Sequence, residues 1–285
     1  MAHRNRPVVA REYKLILNNL AFEEKEDGIE KFVNLVKIRL LGSRDPEGEA
    51  HFISSRDDKK RRVWYLDTSD FKIKNSSFLL RIRKENDKEY VTSLKCRNPD
   101  RYIASSYDLS TDNQKVKSKF EEDIIAPFAS NFSLSATFET EDEPRIVSIG
   151  DLVSIFPGLS ELNVNEDETL HKVNNFEARE FSCQIGSIEF GNEGSVAETS
   201  LEFWYLPGEV KKQPPLIVEF TFDYNAKERE FKDKLEKGSL LEEFPTSQVV
   251  TANMFYRSMQ EIKEFKGPEN AKTKTQFAYE YRKDI

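Results

Sequence analysis

Cysteine and histidine are scarce in this chain, and their scarcity removes whole classes of chemistry. Two cysteines among 285 residues, Cys96 and Cys183, give neither a disulfide framework nor metal-ligand spacing, which fits a reducing compartment. The three histidines, His3, His51 and His171, are scattered with no nucleophile beside them, so a histidine-based triad has no sequence support. There is no long apolar run and no secretory leader, so the expectation is a cytoplasmic chain with no membrane partner. The net charge of -8 argues against broad binding to nucleic acid, while leaving room for a local basic cavity. What the chain has in quantity is aromatic and charged residues. Its 21 phenylalanines and 10 tyrosines favour strands around a substantial core, and a charged fraction of 33% is polar for a globular protein.

The pattern predicts strands at residues 8–18, 61–67, 77–85, 88–97, 116–125, 178–191, 195–206 and 215–224. Helices are predicted at 27–41, 148–156, 226–241 and 249–266. Residues 42–60, with Asp45-Pro46-Glu47-Gly48, and 98–115 read as loops, and the Asp57–Arg62 charge run as a solvated face. The last twenty residues are too polar to place. With no internal repeat and no linker, residues 1–265 read as one domain and residues 266–285 as a polar tail.

Successive side chains of a strand face opposite ways, so each predicted strand can be split by parity. Glu12 and Lys14 share one face of the first strand, and Tyr13, Leu15 and Leu17 share the other. Arg81 and Arg83 fall together, as do Lys95 and Arg97 with Ser93. Lys117, Lys119, Glu121 and Asp123 make another set, followed by Glu198, Ser200 and Glu202, then Glu219, Thr221 and Asp223. Opposite the last set lie Leu216, Val218, Phe220 and Phe222, a core face. Six strands split this way suggest a closed sheet with helices outside and ions inside. Uncompensated ions in such an interior are costly. A polyphosphate would satisfy the lysines and arginines, and Mg2+ or Mn2+ held by the acids would bridge phosphate oxygens.

The order Glu12-Tyr13-Lys14, Tyr65-Leu66-Asp67-Thr68, Leu80-Arg81-Ile82-Arg83, Ser93-Leu94-Lys95, Ser118 to Asp123 and Val218-Glu219-Phe220 resembles the CYTH family of triphosphate tunnel metalloenzymes. The resemblance runs from about residue 8 to 257, with insertions near 42–60, 98–115 and 124–175. It implies an α+β fold: a closed antiparallel eight-stranded barrel, helices outside, and a C-terminal helix near one end. It also implies divalent-metal chemistry on a triphosphate-bearing small molecule; among nucleic acids only an RNA 5'-triphosphate end would qualify. Carried over by residue, Lys14, Arg81, Arg83, Lys95 and Lys119 become phosphate ligands, with Arg179 as a further cation. Glu12, Glu121, Asp123, Glu219 and Glu198 or Glu202 become the metal-associated acids. Glu12, Glu121 and Lys14 are the expected catalytic residues.

Two acids of the family pattern are absent, at Ala10 and Thr221. Three readings therefore stand: a triphosphatase, weakened or silenced at those positions; a triphosphate-binding module without turnover; and a class IV-type adenylyl cyclase, for which no purine pocket is identifiable. Asp67-Thr68 reads as a strand-ending turn, and Cys96 as a buried apolar residue.

Overall fold

The computed structural model describes residues 6–42, 50–113, 115–161, 165–190, 196–208, 214–226 and 244–282. The alternation in the sequence becomes β1 (Ala10–Leu17), β2 (Ala50–Asp67), β3 (Phe78–Glu85), β4 (Glu89–Asn98), β5 (Lys117–Ile125) and β6 (Ala129–Thr140). The two-residue β7 (His171–Lys172) precedes β8 (Ala178–Phe190), β9 (Ala197–Tyr205) and β10 (Ile217–Asn225). Nine of these strands close on themselves in the order β3-β4-β6-β5-β1-β10-β9-β8-β2, with β2 pairing back to β3, and β7 attached to the end of β2. The expected eight-stranded, wholly antiparallel barrel is thus corrected in two respects. The ring has nine strands, and β1 runs parallel to β5, aligning Glu12 with Asp123. The extra strand is β6, inside the stretch read as an insertion. Its polar Ser133, Ser135 and Thr137 alternate with Phe132, Leu134, Ala136 and Phe138, so the strand pattern was present there.

Six α-helices lie among the described residues: α1 (Lys25–Gly42), α2 (Lys72–Asn75), α3 (Arg101–Ser106), α4 (Ile149–Ile155), α5 (Thr246–Met259) and α6 (Lys274–Glu280). Phe32 of α1 packs edge-on against Phe220, and Phe255 and Tyr256 of α5 pack against Phe222 and Tyr13. The apolar parity of β1 and β10 is therefore buried outside the ring, beneath helices. The charged parity is left to face inward. No described helix is long and apolar enough to cross a membrane.

Three loop or helix expectations change. Residues 50–60 are strand, because pairing with β8 imposes extension on a segment whose second half, Arg56–Lys60, is all charged and shows no period. Residues 101–106 are helical, started by the Asp100 side chain accepting from Tyr102 and Ile103 N–H groups. The helix expected to run to residue 266 ends at Met259 and is followed by a short 3-10 turn, Lys263–Phe265. The turn expected at 45–48 lies outside the described residues, as does nearly all of the helix expected at 226–241.

Candidate functional site

The inward faces enclose a cavity of about 880 Å³. Its walls carry Glu12 and Lys14 from β1, Arg81 and Arg83 from β3, Lys95 and Arg97 from β4, Glu121 from β5, and Glu180, Glu202 and Glu219 from β8, β9 and β10. Between β4 and β5 stands β6, which sets Ser133, Ser135 and Thr137 between the facing Lys95, Arg97 and Glu121. These short side chains let Lys95 reach over β6 to Glu121 at 2.5 Å, and Arg97 to Asp123 at 2.9 Å.

Glu12, Glu121 and Asp123 form the tightest acidic group, with one oxygen from each within 4.8 Å of the others. Lys14 bridges Glu12 and Asp123 at 2.8 Å each, and Lys119 lies 3.1 Å from Glu121. Burial by itself would raise these carboxyls, but neighbouring cations outweigh it. Lys95, with Lys119 and Lys14, holds Glu121 down to about 2, and Lys14, Lys95 and Arg97 hold Asp123 well below its ordinary value. Three clustered carboxylates offer the hard oxygen donors that Mg2+ or Mn2+ takes, so the residues present fit a divalent cation.

The β2–β3 wall, in contrast, has cations with few partners. Arg81 makes no ion pair among the described residues. Arg83 has one carboxylate partner, Glu85 at 3.1 Å, which it shares with Arg61, and its buried Nε has no acceptor. Burial, then repulsion from Arg81 and Arg61, pushes the Arg83 guanidinium down to about 10. This wall carries positive charge that the protein itself does not neutralise.

One end of the ring is apolar. Val63, Tyr65, Trp204 and Ile217 cluster there with Ala278 and Tyr279 of α6. That helix begins in a capping box between Thr273 and Gln276 and carries Lys274 into the cavity. Lys274 pairs with Glu202, with Glu219 at 2.8 Å and with Glu180 at 3.5 Å. Burial lowers Lys274 to about 8 and raises Glu219 to about 8, with Glu12 and Glu180 adding to the rise. Asp67 accepts from the N–H groups of Thr68, Ile73 and Lys74 and from the Tyr279 hydroxyl, so the Asp-Thr marker starts α2 and anchors α6.

Of the residues singled out in the sequence, Glu12, Lys14, Arg81, Arg83, Lys95, Lys119, Glu121 and Asp123 come together. Glu202 and Glu219 line the same cavity and pair with Lys274, and Glu219 also feels Glu12 and Lys14. Glu198 is exposed and bonds to Gln184. Arg179 is a correction: its neighbour Glu180 takes the inward position opposite Arg61, so alternation turns Arg179 outward beside Arg62. Ala10 and Thr221 hold inward register positions, next to Glu121 and Lys14 respectively. Sequence reasoning missed Arg61, Glu180 and Lys274. The first two share their strand faces with Val63 and Ser182 two residues on, and Lys274 lies inside the visible Thr273-x-x-Gln276 cap.

No family model and no curated protein matches the chain. Among solved structures, a Hippeastrum protein described as an adenylyl cyclase with a dominant triphosphatase activity is 15% identical, with a TM-score of 0.36, over 81% of this chain and 85% of that one. A Bacillus halodurans protein described as an adenylate cyclase is 14% identical at 0.34, covering 81% and 89%. One from Vibrio parahaemolyticus, described likewise, is 11% identical at 0.32, covering 88% and 90%. At such TM-scores the likeness carries no assignment, and the activities belong to those proteins.

Proposed function

We propose that the ring binds a triphosphate-bearing small molecule and hydrolyses its terminal phosphoanhydride with the help of a divalent cation. The observation that carries this reading is the pairing of an under-neutralised wall, Arg81 and Arg83, with the Glu12–Glu121–Asp123 triad in one cavity. A linear polyanion has its negative charge spread along its length, and it matches cations arrayed over neighbouring strands.

In this reading Arg81 and Arg83 grip the inner phosphates. Lys14, Lys95, Arg97 and Lys119 exchange carboxylate partners for oxygens of the terminal phosphate. Glu12, Glu121 and Asp123 hold Mg2+ or Mn2+, which when bound supplies charge neutralisation and an acidified water. Water adds to the terminal phosphorus as the bridging P–O bond breaks, and the bond's electron pair leaves with the diphosphate end of the substrate. The water oxygen stays in the inorganic phosphate, and one of the water's protons is released to solvent. The protein contributes positioning and fixed charge, the usual means of catalysis for phosphoryl transfer.

A second reading, binding without turnover, is favoured by Ala10 and Thr221 and by the four cations already paired to the triad. Phosphate release from inorganic triphosphate, ATP and thiamine triphosphate with Mg2+ or Mn2+ tests both, in the wild type and in Ala10→Glu. Release by the wild type supports hydrolysis, and release only by Ala10→Glu identifies a weakened catalyst. Calorimetric binding without release in either supports the module. Arg81→Ala should weaken triphosphate binding at least about tenfold. The absence of both release and binding would refute the proposal.

A further inference from the structure

Beside the triad the ring holds a second group of carboxyl groups, and a different part of the chain neutralises it. Glu180, Glu202 and Glu219 come from three adjacent strands, and Glu180 and Glu219 are only 4% and 5% exposed. One of their cations, Arg61, is fixed in β2, 3.0 Å from Glu180 and 3.6 Å from Glu202. The other, Lys274, is delivered from outside the ring by α6. The helix is docked by the Tyr279 hydroxyl on Asp67, by the Asn174 amide donating to the carbonyls of Ala278 and Tyr279, and by packing of Phe277 and Tyr279 on Phe176, Tyr65 and Phe71. An ammonium has three N–H donors. Three carboxyl groups surround that of Lys274, so its charge is already committed to the protein, with Glu202 as its hydrogen-bond acceptor.

Building on the proposed function, we propose that Lys274 is a positioning residue: with Arg61 it is the counter-ion that stops Glu180 and Glu202 repelling a bound polyanion, and it acts through them without touching phosphate. Without it, Arg61 alone faces the group, and carboxylates on the cavity wall would repel a ligand of their own sign. In a partly desolvated cavity one uncompensated charge several ångströms away weakens binding roughly ten- to a hundredfold. The polar tail is then part of the site, although its own charge stays with the protein.

The experiment is calorimetric titration of the full chain with inorganic triphosphate in EDTA, which keeps metal out of the readout. Lys274→Met should bind about ten- to a hundredfold more weakly than the wild type. Glu202→Gln should bind more tightly. The double variant, Lys274→Met with Glu202→Gln, should return to within about threefold of the wild type, because charge balance is restored without any lysine. A double variant as weak as Lys274→Met would make Lys274 a phosphate ligand and overturn the proposal, as would unchanged binding by Lys274→Met. Thermal melts of the same proteins give a readout that needs no ligand. The loss of melting temperature in Lys274→Met should be recovered in the double variant, and failure to recover also overturns the counter-ion role. A wild type that binds no triphosphate refutes the proposed function, while the melts still decide the counter-ion role.

Discussion

Glu219 illustrates what burial does to a single carboxyl in this interior. Its pKa of about 8 lies above that of an ordinary glutamate, so the folded state holds the proton more tightly than the unfolded state does. A raised folded-state pKa gives stability that is complete below the unfolded value and fades as pH climbs through the folded one. Relative to Glu219→Gln, the wild type should therefore lose stability between about pH 4.5 and pH 8. Parallel thermal melts of the two proteins across that range check this, and a constant difference would mean that Glu219 is ionised throughout. Glu121 behaves in the opposite sense. Held at about 2 by Lys95, Lys119 and Lys14 against its burial, it contributes stability that is lost as pH falls from about 4.5 toward 2.

At the scale of elements, α6 is short, and its seven residues could not persist as an isolated helix. It holds its place through the Thr273–Gln276 capping box, the Tyr279–Asp67 bond and aromatic packing of Phe277 and Tyr281 on Phe176. Removing the cap with Thr273→Ala should cost about 1 kcal/mol, felt locally. Amide exchange should quicken in residues 274–280 while β1 and β10 keep their protection. Equal loosening of both would show that α6 and the ring unfold as one unit. Asp67 has the larger role of the two partners. Tyr279→Phe leaves it three backbone donors, whereas Asp67→Ala orphans those donors at the start of α2 as well.

For the molecule as a whole, an acidic chain of net charge -8 folds so that a cationic wall is enclosed, away from its surface average. Enclosing like charges costs stability in the free protein, and a bound polyanion should return it. Inorganic triphosphate at about a hundred times its dissociation constant should stabilise the fold by about 2.7 kcal/mol. The melting temperature should rise with ligand concentration, and inorganic phosphate at the same ionic strength should do far less. An equal rise with both would point to general screening.

Much of this was legible in the chain because a strand writes its two faces at a period of two. Glu12, Lys14, Arg81, Arg83, Lys95, Lys119, Glu121 and Asp123 each alternate with buried apolar residues, so local periodicity alone sorted them from the core. The strand formed by residues 50–60 was hidden, since both faces of its second half, Arg56–Lys60, are charged and its conformation comes from β8. Arg179 and Glu180 are adjacent residues of opposite charge, and one step of register, set by pairing with β2, decides which of them faces inward. Lys274 lies outside every strand. The sequence by itself determined which side chains share a face. Which faces close around one cavity, which acid meets which cation, and that a polar tail supplies a counter-ion were decided by tertiary structure, because pairing partners far apart in the chain choose them.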